Sequence, residues 1–433
     1  MKPEMMENYD KILIRQVLLG SEPVDILIEG NKIGKISPRL SVDEGSSLLT
    51  IEGEGKAVIP GLVNCHTHAA MTLFRGYGDD LDLMDWLENM IWPVEAKMTT
   101  EDIYWGSRLA CLEMIKSGTT AFLDMYSFPE ATAQAVADSG MRATLSYTLF
   151  DRGDAERAAL DRRNCERYYR EFGEVSERIQ FAVGPHAIYT VCGEQLQFAD
   201  RFAEEHNCLV HLHLSETMTE WTECVKLYGT TPVRYLHKLG VLSPRLVLAH
   251  ALWIDSEEIK MLADHGCQVV HNPASNMKLA SGYEFRYEEY HRAGVKVGLG
   301  TDGCSSSNNL DMFEAMKLAS LLGKAWTGDP KKVSAPQIFR TATEEGASIL
   351  GLHGGKVEEG RVADLLLVDL KLPEMVPLHN LVSNLVYSAN GSCVTDTIVD
   401  GRLLMRDRKV EGEGELITKV QKVAEDLLSR ADK

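Results

Sequence analysis

The sequence predicts an α/β protein, a (β/α)8 TIM barrel carrying a small β-sandwich assembled from both ends of the chain. Two observations carry this. Between residues 58 and 355, short β-branched runs alternate with amphipathic stretches eight times, the pattern of a parallel sheet closed by repetition. On either side, 1–57 and 356–433 share a different texture of turn-broken, partly alternating strands.

The elements follow in order. Residues 11–36 hold Lys-Ile-Leu-Ile-Arg-Gln-Val and then Val-Asp-Ile-Leu-Ile-Glu, with a turn signal at Glu29-Gly30-Asn31. The barrel strands are expected at 57–63, 120–125, 142–150, 179–184, 208–214, 246–251, 268–271 and 296–300. Helical patterns lie between them, as at 101–117 and 194–206. The stretches Ala363 to Asp369 and Thr397 to Met405 read like the N-terminal strands and should pair with them. Leu416 to Ala431 has apolar positions at helical spacing and is counted with that terminal unit.

Composition narrows the function. The 433 residues include 45 Lys+Arg against 64 Asp+Glu, a net charge of −19, with 44% hydrophobic and 25% charged residues. That is ordinary globular composition. The acidic balance argues against nucleic acid or an anionic membrane as the partner. No apolar run reaches the ~18 residues of a spanning helix. Residues 1–8 are partly acidic and lead into no apolar segment, so no signal peptide is expected. Nine cysteines stand without a Cys-x-x-Cys pair, which suits reduced thiols in a cytoplasm.

The informative residues follow the strands. Strand one runs into His66-Thr67-His68, strand four into His186, and strand five carries His211-Leu212-His213 and then Glu216. Strand six ends at His250, strand seven at His271, and strand eight at Thr301-Asp302-Gly303. Barrel active sites form at these C-terminal strand ends, and imidazoles gathered with a carboxylate make a divalent transition-metal site. A lone strand-end histidine is more often structural; seven of the 13 gathered this way are not explained so. His211 lies one repeat deeper than His213 and reads as a support behind a ligand, while His271 is open to either role. Gly298-Leu-Gly300-Thr-Asp302-Gly303 imitates a dinucleotide loop, but a polar loop at 304–308 intervenes before any helix, so the nucleotide reading fails.

These motifs resemble a known family. Pro60-Gly-Leu-Val-Asn-Cys-His-Thr-His68, His211-Leu-His-Leu-Ser-Glu-Thr217, His250 and Thr301-Asp-Gly303 are similar to the amidohydrolase superfamily of metal-dependent barrel hydrolases. More finely, Asn64 to Gly76, Trp86 with Trp92-Pro-Val-Glu95, Gly184-Pro-His186 and His271-Asn-Pro-Ala-Ser-Asn276 resemble the methylthioadenosine / S-adenosylhomocysteine deaminases, including the 5′-deoxyadenosine deaminase group. The resemblance implies metal ligands at His66, His68, His213 and Asp302, and nucleoside contacts at Glu95, His186 and Glu216. It implies two arginines for the 5′ substituent. Tyr147 stands in place of one, and Arg157 matches the other. Trp86 is a candidate to stack on the nucleoside.

The chemistry implied is hydrolytic deamination of 5′-modified adenosines: 5′-deoxyadenosine, methylthioadenosine, S-adenosylhomocysteine and adenosine itself. One divalent ion per subunit, expected to be Zn²⁺, would activate water. Strand four (Phe181-Ala-Val-Gly184) has no lysine to bridge a second ion. Asp302 would take the water's proton, His250 would hold the nucleophile, and Glu216 would protonate the purine ring. A homo-oligomer, dimer or tetramer, is implied by the resemblance alone. Guanine deamination or s-triazine dechlorination would keep the site and change the substrate. A scaffold barrel without activity would not need all four ligands and Glu216.

Overall fold

A computed structural model describes residues 9–42, 47–81 and 83–431. The stretch 1–8, read above for a signal peptide, lies outside the described residues. The chain opens with β1 (Lys11–Leu19), β2 (Glu22–Glu29), β3 (Lys32–Ser37), β4 (Leu48–Glu52) and β5 (Lys56–Pro60). Eight barrel strands follow: β6 (Leu62–Thr67), β7 (Thr119–Tyr126), β8 (Arg142–Leu149), β9 (Ile179–Pro185), β10 (Leu209–Leu214), β11 (Leu246–His250), β12 (Gln268–His271) and β13 (Lys296–Leu299). The chain then returns with β14 (Leu365–Asp369), β15 (Val394–Val399) and β16 (Arg402–Met405).

Strands from the two ends share one sheet, in the order β16-β15-β14-β5-β1-β2-β3, with β4 pairing β1. Ile12, Ile14, Ile26 and Ile28 meet Leu365, Leu367 and Ile398 in a common buried cluster, so neither end can bury its apolar face without the other. The barrel strands run β6 to β13 in chain order, each ladder parallel. β6 and β7 are buried at every residue, which is why they read as continuous apolar runs rather than alternating ones.

The seam between β13 and β6 is stitched by side chains and loop backbone. Asn64 donates its amide to Thr301 Oγ1 at 2.7 Å and accepts the Thr301 N–H at 3.2 Å. The Asp302 N–H donates to the His66 carbonyl at 3.0 Å. A side chain at Gly300 would meet Asn272 Oδ1 at 2.3 Å, so the glycine taken above as part of a false nucleotide motif serves close packing at this seam.

Two expectations are corrected. The strand expected at 57–63 is two strands in different sheets: β5 pairs with β14 and β6 with β7. Gly61 is the hand-over, because a Cβ there would lie 2.0 Å from Thr120 Oγ1. The change of sheet therefore falls three residues later than the expected 57/58 boundary. The C-terminal helix, Glu413–Ala431, packs against the barrel helix Thr100–Ser117 rather than on the terminal sheet. Leu416, Val420, Val423 and Leu427 join Ile103 and Leu112 in one cluster, and Arg430 pairs with Asp102 at 2.8 Å. Among the described residues no helix is long and apolar enough to cross a membrane.

Candidate active site

The C-terminal strand ends bring His66, His68 and His213 together, with His250 and Asp302 beside them. Each of the three imidazoles is held at Nδ1. That of His68 donates to the Met125 carbonyl at 2.6 Å, that of His213 to the His186 carbonyl at 2.7 Å, and that of His66 lies 2.8 Å from His211 Nε2. Their Nε2 atoms are thereby turned inward, toward one another and toward Asp302. Asp302 Oδ1 lies 3.3 Å from His66 Nε2 and 3.2 Å from His68 Nε2, while the two Nε2 atoms of His68 and His213 are 3.3 Å apart. The Gly303 N–H fixes that same carboxylate oxygen at 2.8 Å.

This donor set fits a divalent transition ion. Two atoms that each bond one such ion at ~2.0–2.1 Å can lie no more than about 4.2 Å apart, and the spacings found fall within that. The buried Nε2 of His66 has no hydrogen-bond partner, a cost that a metal bond removes. Burial holds His66 down at about 4 and His213 well below its ordinary value, so both are neutral as ligands must be. Burial also opposes charge on His68, yet its hydrogen bond to Asp302 and that carboxylate's field pull it up to about 9. The Asp302 carboxylate calls for a positive charge at this point, which a proton or a cation supplies.

Residues 57–404 match the amidohydrolase family.

This chain belongs to that family.

Among relatives of this amidohydrolase, a 5′-deoxyadenosine deaminase of Methanoregula boonei is 46% identical over 431 residues, 99% of this chain and 98% of the relative. A 5-methylthioadenosine/S-adenosylhomocysteine deaminase of Thermococcus onnurineus is 47% identical over 387 residues, 89% of this chain and 90% of its own. A solved structure of an adenosine deaminase from Xanthomonas campestris with bound zinc superposes with a TM-score of 0.90. It is 32% identical and covers 97% of this chain and 98% of that one.

A cavity of about 560 Å³ opens over the cluster of the amidohydrolase. His68, His213, Glu216, His250 and Asp302 line its floor, and Glu95, His186, Trp86 and Arg157 line its walls. Glu216 is 7% exposed, its Oε1 accepting from Ser281 Oγ at 3.4 Å and its Oε2 lying 3.8 Å from His250 Nε2. Burial pushes its carboxyl above the usual range, with nearby His250 opposing. His250 donates from Nδ1 to Asn276 Oδ1 at 2.8 Å, which leaves Nε2 as an acceptor facing the cavity. His186 donates from Nδ1 to Thr190 Oγ1 at 2.9 Å, and burial holds it neutral, down at about 3.

The walls include residues that sequence reasoning missed. Tyr126 donates its hydroxyl to Glu95 Oε1; the rule that polar residues at strand ends point to the site would have found it, since it closes β7. Tyr147, where the resemblance implies arginine, donates to Asp161 Oδ1 at 2.9 Å and accepts from Asn164 Nδ2 at 2.9 Å. Arg157 is half exposed and paired with Asp161 at 3.2 Å. Trp86 is buried, and its indole N–H has no hydrogen-bond partner. His211 stands behind His66 and passes its own Nδ1 to Ser146 Oγ at 3.3 Å. His271, left open by the sequence, stacks on Phe285 with ring centroids 4.2 Å apart, away from the cavity.

Proposed function

We propose that this amidohydrolase hydrolytically deaminates 5′-modified adenosines, 5′-deoxyadenosine, methylthioadenosine and S-adenosylhomocysteine among them, to the inosine analogues and ammonia. The observation that carries this is the buried Glu216 carboxyl set beside His250 and Asp302 at the floor of one nucleoside-sized cavity. The names of the relatives at 46% and 47% identity support it.

His66, His68, His213 and Asp302 would hold one divalent ion, for which zinc is proposed. Such an ion supplies Lewis acidity and brings water to a reactive state near neutral pH. The chain's own residues do the rest. Glu216, raised by burial, carries a proton to the ring nitrogen beside carbon 6 and makes that carbon electrophilic. The bare Nε2 of His250 orients the attacking water by accepting one of its hydrogens. Asp302 takes the water's other proton and returns it to the departing amine. The proton left on the new hydroxyl departs as the carbon 6 carbonyl forms and restores Glu216, so that the two O–H bonds of water and the C–N bond are exchanged for a ring N–H, an N–H of ammonia and a C=O. His186 presents an acceptor to the substrate. Glu95, steadied by Tyr126, accepts the ribose hydroxyls, and Trp86 flanks the nucleoside. Arg157 borders the 5′ end, where Tyr147 and Asn164 offer uncharged hydrogen-bonding groups.

The nine free thiols support a reducing, cytoplasmic setting, and a dimer or tetramer is proposed from the family resemblance. The decisive experiment is the ultraviolet adenine-to-hypoxanthine assay on 5′-deoxyadenosine, methylthioadenosine, S-adenosylhomocysteine and adenosine. Turnover of at least one is expected; inactivity on all four, with activity on guanine or a chlorotriazine, would overturn the reading.

A further inference from the structure

Glu220 sits at the third position of the helix Met218–Tyr228, whose N-cap is Thr217. A glutamate there ordinarily folds back onto the N-cap's own backbone N–H, closing a capping box. Here only half of that box forms: the Glu220 N–H donates to Thr217 Oγ1 at 3.1 Å. The carboxylate reaches further. Oε1 accepts the Ser215 N–H and Oε2 the Glu216 N–H, each at 2.9 Å.

Those two amides belong to the turn that aims Glu216. Ser215 is held at φ 52°, a left-handed conformation that a serine adopts at some cost. The same turn is tied to the next strand end, where Leu252 and Trp253 both donate to the Ser215 carbonyl at 3.1 Å. His250, at φ 73°, and Ala251, at φ 48°, share the strained geometry. Glu220 is 7% exposed. Burial pushes its carboxyl up to about 7, while the two backbone N–H donors pull the other way by favouring the charged form, and in that form they hold a turn that its own dihedral preferences would release.

We infer that Glu220 is a positioning residue, a two-point carboxylate clamp on the 215–216 backbone that keeps the Glu216 carboxyl directed at the substrate ring. A glutamine at 220 keeps the size but accepts at one oxygen only, and its amide N–H₂ opposes the second backbone N–H. The Ser215–Glu216 peptide would relax and the acid would swing off line. Misplacement on the scale of 1 Å costs about 10²-fold in rate.

The inference rests on Glu216 as the proton donor, and the test separates the two. It is a double-mutant cycle on the metal-loaded protein with Glu216→Gln, Glu220→Gln and both together, reading kcat, KM and metal content. Glu220→Gln alone should lower kcat roughly 10- to 100-fold, with KM and metal content little changed. With Glu216 already glutamine, it should cost less than about twofold more, because it acts only through that residue. Multiplicative losses, as a general loosening of the fold would give, overturn the inference. If Glu220→Gln does not fold, Glu220→Asp, one methylene shorter, takes its place in the cycle. A crystal structure of the Glu220 variant is the arm independent of activity. The Glu216 carboxyl should have left Ser281 and His250 with His66, His68 and His213 in place, and an unmoved carboxyl overturns the clamp. A wild-type protein inactive on every nucleoside would fail the functional reading instead, and the crystal structure would still judge the clamp.

Discussion

The Nδ1 of His66 and the Nε2 of His211 are 2.8 Å apart in a fully buried setting. With His211 donating onward to Ser146, its Nε2 accepts the His66 N–H. One imidazole therefore sets the tautomer of another, and the Nε2 of His66 is left unprotonated and without a hydrogen-bond partner. Replacing His211 with leucine should weaken metal affinity about 10- to 100-fold. Competition against a chromogenic chelator measures this, and an unchanged affinity would mean the ring is held by packing alone.

Metal stoichiometry is a separate matter. Elemental analysis should find one divalent ion per chain, and chelation should abolish activity that one equivalent of zinc restores. Two ions per chain, bridged by a protein group, would contradict the single-site reading.

Glu216→Gln should retain metal and thermal stability yet lose roughly 10²–10⁴ in rate, the share typical of general acid–base catalysis. Near-wild-type turnover would assign the proton to another group.

Glu95 is half-buried, with one oxygen taken by Tyr126. If the carboxylate receives the ribose hydroxyls, 2′-deoxyadenosine should be a far poorer substrate than adenosine, by up to ~10⁴ in kcat/KM. In Glu95→Ala that discrimination should largely vanish as both substrates become poor. Steady-state kinetics on both proteins decide it; an undiminished 2′-deoxy penalty in the variant would remove Glu95 from the ribose.

Burial holds His271 neutral, down at about 3 in the folded state against an ordinary value of 6.5. Between those limits the unfolded chain binds the extra proton, so stability is fully present above pH 6.5 and is lost as pH falls toward 3. His271→Phe should remove from the stability–pH slope in that window up to about 1.4 kcal/mol per pH unit. Denaturant unfolding at several pH values reads this directly, and identical slopes would show that the histidine does not titrate on unfolding.

The sequence spoke most clearly where chemistry and topology coincide. His66, His68, His213, His250 and Asp302 are legible because strand ends recur at a readable rhythm and imidazoles are scarce. Glu220 was hidden because Thr217-Met-Thr-Glu220 looks like an ordinary capping box, and only coordinates reveal that its carboxylate reaches past the cap. The Tyr147–Asp161–Asn164 link was hidden for another reason: it joins a strand to the helix Ala155–Val175, and no local pattern encodes which face of that helix meets the cavity. The break at Gly61 is invisible in an apolar run because both of the sheets it joins want the same residues.

The pairing of β5 with β14, Lys56 opposite Asp369, bears on biosynthesis. The first five strands leave the ribosome long before the strand that completes their sheet. During that interval the whole barrel is synthesised while an unpaired β edge and its isoleucine-rich face wait in the open. Such edges template aggregation, so chains released before Leu365 should be handled by chaperones or lost. The terminal sheet can therefore be completed only after translation has passed the last strand of the barrel.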